Sequence, residues 1–326
     1  MLKKLQFKGI TLDNNIMTAP LAGYTDIPWR KVYHDCGASL IFTEMISVEA
    51  LSRNNPKTFI MLSQKEGKSH SPWYCIQLFG NNLNAYLKSI EIIIDKFGYR
   101  FININMGCPV KKVLKAKSGC YFLENSDNAS NIVTEIKKNF PEIILSIKTR
   151  TGISNDNLNG STLIKKCVDN GADFIILHGR TKNQGFGGEV SVEKIKEIKK
   201  ECAVPLIANG DITSEAKAHE MFEYTGCDGL MIGRGLFSDP FLVKKIISEK
   251  ENISIPDIFL EKKYLKNTFE KHYNEMVKFY GRNYAYRLMK KFMQYYGKLY
   301  DKETKHKITV SESYAQFEQG AGLNPE

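Results

Sequence analysis

Side chains able to do chemistry lie at the ends of short apolar runs in this sequence of 326 residues. Cys108 follows the run FININ in the segment NMGCP, and Lys148 lies within the run IILSIKTR. His178 closes the run FIILH, two positions before Arg180. Lysine and arginine are costly to bury unless a partner pairs with them, so a bound polar ligand explains these positions best. The thiol of Cys108 could act beside that ligand as a proton donor or as a nucleophile.

The apolar runs predict the architecture that would bring these residues together. They alternate with helix-like intervals such as LNAYLKSIEIIIDKFG and VEKIKEIKKEC, a pattern that indicates a parallel sheet. The eight runs are NIMTAP, ASLIFTEM, YCIQLFG, FININMG, IILSIKTRTG, FIILHGR, PLIANGD and GLMIGRG. Eight units predict the α/β fold of a closed (β/α)8 TIM barrel, because an open doubly wound sheet usually has fewer strands. The active site is then expected at the C-terminal ends of the strands.

Two glycine-containing turns, ANGDI and IGRG, follow the seventh and eighth runs. This is where barrels of the predicted kind usually bind phosphate, through backbone N–H groups. The turns therefore predict a cofactor that carries a phosphate. The alternative is that both are tight turns that simply need glycine.

Lys148 and Gln77 indicate which cofactor this is. A lysine at the end of a barrel strand would stabilise negative charge on a reduced isoalloxazine ring. The amide of Gln77 can both donate to and accept from the pyrimidine edge of that ring. Together with a phosphate site, these features predict FMN. A snorkelling surface lysine and a capping amide are the alternatives.

After Pro240 the alternation of strands and helices stops. The segments IFLEKKYLKNTFEKHYNEMVKFYG and RNYAYRLMKKFMQYYGKLYD predict two long helices separated near Gly281, and SESYAQFEQ predicts a shorter third one. The sequence thus predicts a catalytic barrel domain over residues 1–243 and an all-helical domain over residues 244–326.

Positive charge is concentrated in the helical tail. The net charge is +10, with an isoelectric point near 9.0. Between Lys244 and Lys307 there are sixteen Lys and Arg residues against eight Asp and Glu residues. Such a segment favours a polyanionic partner, because the neutralisation of phosphates drives affinity for nucleic acids. A solvated, lysine-rich surface is the alternative.

Composition and residue spacing limit the class of protein to which this chain can belong. The chain is 42% hydrophobic and 25% charged, which is ordinary for a globular protein with a substantial core. No apolar stretch approaches the roughly 20 residues that cross a bilayer, so we expect no membrane association. The seven cysteines show no short pair spacing, which favours the reducing cytoplasm. No constellation of His, Cys and carboxylates predicts a metal site.

The motifs as a set resemble those of the tRNA-dihydrouridine synthases. In the order of that family, the chain contains TAPLAGYTDIPWR, QLFG, NMGCPVKKV, IKTRTG, LHGRTKNQGFGG, ANGDI and GRGLFSDP. The resemblance covers residues 5–245 closely and the helical tail loosely. The segment HGRT is most similar to the bacterial B-type branch.

This resemblance implies an FMN enzyme that takes hydride from NADPH and delivers it to C6 of a uracil in tRNA, forming 5,6-dihydrouridine. Cys108 matches the acid that protonates C5. Asn105, Arg150 and Arg180 are expected to hold the uracil, and His178 either the flavin or the uracil. The residues expected to contact FMN are Pro20, Leu21, Ala22, Gln77, Lys148, His178, Asn209, Gly210, Asp211, Gly233 and Arg234.

The helical tail is expected to bind the tRNA. Lys290 and Lys291 lie one helical turn after Arg287, and tyrosines lie on both sides of these three residues. A uracil in folded RNA must be extruded to reach a barrel mouth, so binding energy must come from elsewhere on the RNA. We expect a monomer, because the RNA would use the exposed basic surface.

The sequence departs from the family in two places. The run RLMKKFMQYYG replaces an Arg-Lys-His cluster common in the family, which leaves the modified position of the RNA open. SGCYFL replaces the usual small residues after Cys108, which leaves the role of Cys120 in loop closure or redox sensitivity undecided. The sequence does not distinguish NADPH from NADH as the source of hydride.

Three other functions remain open at this stage. The same chemistry could act on ribosomal RNA. A small-molecule FMN enzyme of the dihydroorotate or dihydropyrimidine dehydrogenase kind would share the cofactor and the cysteine loop without needing a basic tail. A non-catalytic RNA-binding protein on an old enzyme scaffold would leave Cys108 and Lys148 idle.

Overall fold

A computed structural model describes residues 2–63, 72–251 and 258–323 of the chain. It begins with a small antiparallel hairpin of two strands, β1 (Leu5–Phe7) and β2 (Ile10–Leu12). Eight further strands form a closed barrel in chain order. They are β3 (Ile16–Thr18), β4 (Leu40–Ser47), β5 (Trp73–Phe79), β6 (Phe101–Asn105), β7 (Ile144–Arg150), β8 (Phe174–His178), β9 (Leu206–Asn209) and β10 (Gly229–Ile232).

The eight barrel strands confirm the predicted (β/α)8 fold, and each overlaps one of the eight apolar runs. All neighbours pair in parallel, and β10 pairs with β3 to close the barrel, with Leu230 opposite Ile16. These strands are continuously apolar because one face packs inside the barrel and the other against helices.

The hairpin of β1 and β2 was not predicted, because strands of three residues carry almost no periodic signal. Its apolar side chains, including Phe7, join the core cluster inside the barrel. The ring of Phe7 lies 5.0 Å from that of Phe174 and 6.3 Å from that of Phe101, measured between centroids. Phe174 and Phe101 begin their strands, so the hairpin closes the N-terminal end of the barrel.

Helices connect the strands and cover the outside of the barrel. Several begin with a side-chain cap, as Asn82 and Ser191 do by accepting a backbone N–H of the first turn. A π-helical turn at 93–97 extends α4, and a 3-10 turn spans Gly119–Leu123. The helices are α1 (Ile27–Val32), α2 (Val48–Ser52), α3 (Pro56–Leu62), α4 (Leu83–Ile92), α5 (Lys111–Lys115), α6 (Ser126–Asn139), α7 (Gly160–Asp169), α8 (Val192–Glu201), α9 (Glu215–Thr225), α10 (Arg234–Ser238) and α11 (Leu242–Glu251).

The region after α11 is helical in the residues that the structure describes. Its helices are α12 (Ile258–Tyr280), α13 (Arg282–Met289), α14 (Met293–Tyr296), α15 (Lys302–Val310) and α16 (Tyr314–Ala321). The predicted break at Gly281 is present, with φ of +78°. The short third helix is α16, capped by Ser313. The domain boundary at 243/244 falls within α11 and stays a prediction.

The second predicted long helix, 282–301, is wrong as a continuous element. It is divided into α13 and α14 by a 3-10 turn at Lys290–Phe292, and a second 3-10 turn at Gly297–Leu299 follows α14. A Cβ at Gly297 would lie 2.5 Å from the Lys305 side chain, so the glycine allows α15 to pack closely against this point. Helix α15 itself was missed, although Asp301 caps it by accepting the N–H of Thr304.

The helical region packs against the segment that follows β3. Helices α12 and α1 lie side by side, and the hydroxyl of Tyr280 donates to Asp26 Oδ2 at 3.1 Å. The rings of Phe237 and Tyr295 stack with centroids 5.0 Å apart. In the described parts of the chain, no helix is both long and apolar enough to cross a membrane.

Phe7→Ala should lower the free energy of unfolding by about 3–5 kcal/mol, because it removes the ring that fills the N-terminal end of the barrel. Urea unfolding followed by circular dichroism measures this change. Gln6→Ala, at an exposed position of the same strand, is the control and should change stability by less than about 0.5 kcal/mol. Equal effects of the two substitutions would show that the hairpin contributes nothing to the core.

Candidate active site

A cavity of about 580 Å³ opens at the C-terminal ends of the barrel strands. Its volume lies within the usual range for small-molecule and cofactor sites. The loops after β3, β6, β8, β9 and β10 line it, together with side chains of β7 and of the helical region. The predicted site residues that line it are Pro20, Leu21, Ala22, Asn105, Cys108, Lys148, Arg150, His178, Asn209, Gly210, Asp211, Gly233 and Arg234.

Five predicted residues are not among the lining residues. Gln77 and Arg180 are buried directly behind the cavity wall, where they bond to lining residues. Arg287, Lys290 and Lys291 belong to the helical region.

The loop that carries Cys108 is held by Asn105. The Asn105 Oδ1 atom accepts the backbone N–H groups of Gly107 at 3.3 Å and of Cys108 at 3.0 Å. Its Nδ2 donates to Gln77 Oε1 at 3.0 Å, and Gln77 Nε2 donates to Asn103 Oδ1 at 2.8 Å. This row of amides crosses β5 and β6 and fixes the turn that presents the thiol.

Burial raises the pKa of the Cys108 thiol above its ordinary value. The positive charges of Arg150 and Lys148 act in the opposite direction without overcoming it. At neutral pH the group is therefore a neutral thiol, which can give up a proton. It is not ionised to a thiolate at that pH.

Gly119 and Cys120 lie under the Cys108 loop. The N–H of Cys120 donates to the carbonyl of Cys108 at 3.0 Å. A Cβ at Gly119 would come within 2.4 Å of that same carbonyl oxygen, and φ at Gly119 is +66°. Cys120 is fully buried, and burial raises the pKa of its thiol to about 12. The segment SGCYFL thus supports the loop from below, while the redox role considered for Cys120 remains untested.

Lys148 presents its side-chain amine to the cavity. Its Nζ donates to Asn209 Oδ1 at 2.8 Å, and Asn209 Nδ2 donates to the carbonyl of Met231 at 2.8 Å. Burial, and secondarily the charge of Arg150, lowers the pKa of Lys148 to about 7. No carboxylate forms an ion pair with Lys148 among the described residues. An anionic ligand would supply the missing partner.

His178 is buried at the end of β8 beside these cations. Burial, and then the charges of Lys148 and the neighbouring arginines, lowers the pKa of His178 far below its ordinary value. The ring is therefore neutral and has one nitrogen that donates and one that accepts. Its Nε2 lies 3.3 Å from Arg180 Nη1, so this nitrogen is the acceptor.

Arg150 and Arg180 bind backbone carbonyls of the loop after β8. Arg150 donates from Nε to Gly107, and from Nη1 to Thr181 and Gly185, at 2.7–2.8 Å. Arg180 is almost fully buried and forms a two-pronged ion pair with Asp211, with distances of 3.0 and 2.6 Å. The substrate contact predicted for both arginines stays a prediction. Their role in holding the loops together was not predicted.

The turn after β9 offers open backbone donors to the cavity. The N–H groups of Asp211, Ile212 and Thr213 have no protein acceptor among the described residues. Gly210, at φ of +122°, must be glycine because a Cβ would lie 2.5 Å from Val190 and 2.9 Å from His178. With the exposed guanidinium of Arg234 nearby, this donor set fits a phosphate group. The lining as a whole thus fits FMN.

Arg287, Lys290 and Lys291 do not form one open patch. Arg287 is exposed and donates to the hydroxyl of Tyr286. Lys290 donates to the carbonyl of Ser311, whereas Lys291 donates to the carbonyl of Gly23 beside the cavity. Their predicted contact with RNA is untested, and Arg287 is the member with an exposed side chain.

Several lining residues were missed by sequence reasoning. Gln294 and Tyr295 reach the cavity only through the packing of the helical region on the barrel, so no local sequence pattern indicates them. Tyr24 lies in the loop after β3, within the motif TAPLAGYTDIPWR. Met45 comes from β4. Phe186 could have been found from the sequence, because a single aromatic residue among glycines, as in QGFGG, indicates an exposed ring on a loop. Within the described ranges, no group of His, Cys, Asp and Glu is placed to hold a metal.

The fold and cavity place this protein among the TIM-barrel proteins. Solved structures agree on the fold. An old yellow enzyme homologue from Zymomonas mobilis matches 78% of this chain and 94% of its own, with a TM-score of 0.52 and 14% identity. Histamine dehydrogenase from Rhizobium sp. 4-9 matches 84% of this chain and 50% of its own, with a TM-score of 0.56 and 15% identity.

The chain belongs to the dihydrouridine synthase family, whose sequence profile matches residues 17–325. A tRNA-dihydrouridine synthase B from Vibrio parahaemolyticus is 34% identical and covers 92% of this chain and 91% of its own length. Proteins of that name from Pasteurella multocida and Escherichia coli are 33% and 30% identical. The former covers 87% of this chain and 84% of its own length, and the latter 87% of each. The resemblance to the B-type branch is confirmed.

Lys148→Met should remove a pH dependence from the stability of the ligand-free protein. The unfolded chain keeps this amine protonated up to about pH 10.5, whereas the folded chain loses the proton near pH 7. Because the unfolded state binds more protons above pH 7, the wild type gains stability relative to the variant as pH rises. The difference in the free energy of unfolding should shift by about 2–3 kcal/mol between pH 6 and 9.

Denaturant unfolding of both proteins at pH 6, 7.5 and 9 measures that difference. Lys88→Met, which removes an exposed lysine from α4, controls for the loss of a lysine charge. If the wild type and Lys148→Met differ by the same amount at every pH, Lys148 keeps its proton in the folded state.

Proposed function

We propose that this protein is a flavin-dependent oxidoreductase that reduces uridine to 5,6-dihydrouridine in tRNA. One observation carries the proposal. In a chain of the dihydrouridine synthase family, a neutral cysteine thiol and a buried lysine amine line the same barrel cavity. The relatives named tRNA-dihydrouridine synthase B, which this chain matches over most of their length, support tRNA as the substrate.

FMN is the cofactor that we propose for the cavity, and NADPH the source of its hydride. Arg234 and the open N–H groups after β9 would bind the phosphate, and Lys148 would face the ring. Pro20, Leu21 and Ala22 would cover one side. When bound, FMN supplies the hydride that reduces C6 of the uracil. Gln77, which lies behind the cavity wall, would act on the site through its hydrogen bond to Asn105.

Cys108 is the proposed proton donor. Reduction of the C5–C6 bond of uracil takes up one hydride and one proton, and the proton must come from a group that is protonated at neutral pH. The raised pKa of the Cys108 thiol meets this requirement. Asn105 holds the thiol in place, and the neutral ring of His178 can bind uracil or flavin without adding charge.

The helical region would bind the body of the tRNA while the target base enters the cavity. Folded RNA is too large for a cavity of about 580 Å³, so the uridine must be extruded. The net charge of +10 favours binding of a polyanion. We propose a cytoplasmic protein that acts as a monomer.

Cys108→Ala should retain FMN and its reduction by NADPH but reduce uridine about 10²- to 10⁴-fold more slowly, the usual contribution of a general acid. The assay incubates the pure protein with NADPH and an unmodified tRNA transcript. Mass spectrometry of the digested RNA then detects the gain of two hydrogen atoms at each uridine.

Cys202→Ala is the matched control, because Cys202 is also partly buried but lies outside the cavity. Wild-type activity in Cys108→Ala would refute the proton-donor assignment. If the wild type left tRNA unchanged but reduced ribosomal RNA or turned over dihydroorotate, the proposed substrate would be wrong.

Arg287→Ala should weaken tRNA binding and lower the slope of log affinity against log salt by about one, as the loss of one phosphate contact would. Fluorescence anisotropy with labelled tRNA at a series of salt concentrations measures both quantities. Arg100→Ala removes an arginine that directly precedes β6, at the opposite end of the barrel, and should leave the slope unchanged. Identical slopes for all three proteins would place the RNA elsewhere.

A further inference from the structure

Phe186 is an exposed aromatic side chain at the rim of the cavity. It lies in the loop between β8 and α8, and 59% of its surface is open to solvent. The Cζ atoms of Arg150 and Arg234 lie 5.6 and 5.8 Å from the centre of its ring. Of these two guanidinium groups, that of Arg150 is buried, whereas the side chain of Arg234 is 52% exposed.

The loop around Phe186 is fixed on both sides of the ring. Arg150 donates to the carbonyl of Gly185, directly before Phe186, at 2.7 Å. Arg180 donates to the carbonyls of Gly187 and Gly188, directly after it, at 3.0 and 2.6 Å. Two buried guanidinium groups thus hold the backbone of a three-glycine segment that would otherwise be mobile.

This arrangement has no explanation in the stability of the fold. An exposed phenyl ring contributes little to folding, because burial from water is the source of hydrophobic stabilisation. Burying guanidinium groups is costly, and a Gly-Phe-Gly-Gly loop loses much conformational entropy when it is fixed. A ring held in this way at the mouth of a cavity is arranged for contact with a ligand.

We infer that Phe186 stacks on the nucleobase next to the target uridine. The inference rests on the proposed function and extends it to the RNA outside the cavity. Under the proposed function the cavity holds the cofactor and one extruded base, so the neighbouring nucleotide would lie at the rim. Aromatic rings bind unstacked bases by their flat faces.

Phe186→Ala should lower kcat/KM for an unmodified tRNA transcript by about five- to a hundredfold, the range for loss of one base–aromatic stack. Phe186→Tyr keeps a flat ring and should stay near the wild type. The rate at which NADPH reduces the bound flavin in the absence of RNA should be the same in all three proteins.

A second measurement tests the partner base directly. A transcript with an abasic nucleotide beside the target uridine removes the proposed stack from the RNA side. The wild type should lose as much activity on this transcript as Phe186→Ala loses on the intact one. Combining the two changes should produce little further loss, because both remove the same contact.

Tyr224→Ala is the matched control. Tyr224 is 45% exposed on α9 with Lys196 Nζ 4.4 Å from its ring centre, so it resembles Phe186 but lies outside the cavity. This variant should behave like the wild type with both transcripts.

The outcomes separate the two proposals. If the wild type forms no dihydrouridine in tRNA, the proposed function fails. If the wild type is active and Phe186→Ala has the same kcat/KM, the stacking inference is overturned. It is also overturned if the losses of activity from the abasic transcript and from Phe186→Ala are additive. Slower flavin reduction by NADPH in Phe186→Ala would also overturn it, since the ring would then contact the nicotinamide.

Discussion

Positive charge buried at one end of a barrel is the constraint on which the rest of this structure depends. Lys148, Arg150 and Arg180 lie together at the C-terminal ends of β7 and β8, and among the described residues only Asp211 forms an ion pair with any of them. The desolvation of unpaired cations opposes folding. The chain limits this cost by neutralising His178, lowering the pKa of Lys148 and directing the arginines at carbonyl oxygens.

Those carbonyl oxygens belong to several different loops, so the same charges also organise the site. Arg150 joins the Cys108 loop to the loop after β8, and Arg180 joins that loop to the turn after β9 through Asp211. Lys148 reaches the same turn through Asn209. The donors and acceptors of four successive strand ends therefore form one network, and a ligand that brings negative charge would act on all of them at once.

Much of this could be predicted from the sequence, for a physical reason. A barrel strand is buried on both faces, so each appears as an apolar run, and the polar residue that ends the run must face the mouth. Cys108 and Lys148 were located in this way. Contacts set by distant packing could not be found: Tyr295 approaches the cavity from the helical region, and three-residue strands formed the hairpin around Phe7. The end of α14 was not predicted either, since it lies where Gly297 packs closely against the Lys305 side chain of α15.

The pairing of β3 with β10 has a consequence for how the chain is made. It joins residues 16–18 to residues 230–232, and the seam cannot form until the last barrel strand has left the ribosome. Until then the nascent sheet has two open edges, which are templates for association with other chains. Non-local parallel pairing is also intrinsically slow. The chain is therefore most prone to aggregation during its synthesis. A chaperone that covers strand edges would have its largest effect at that stage.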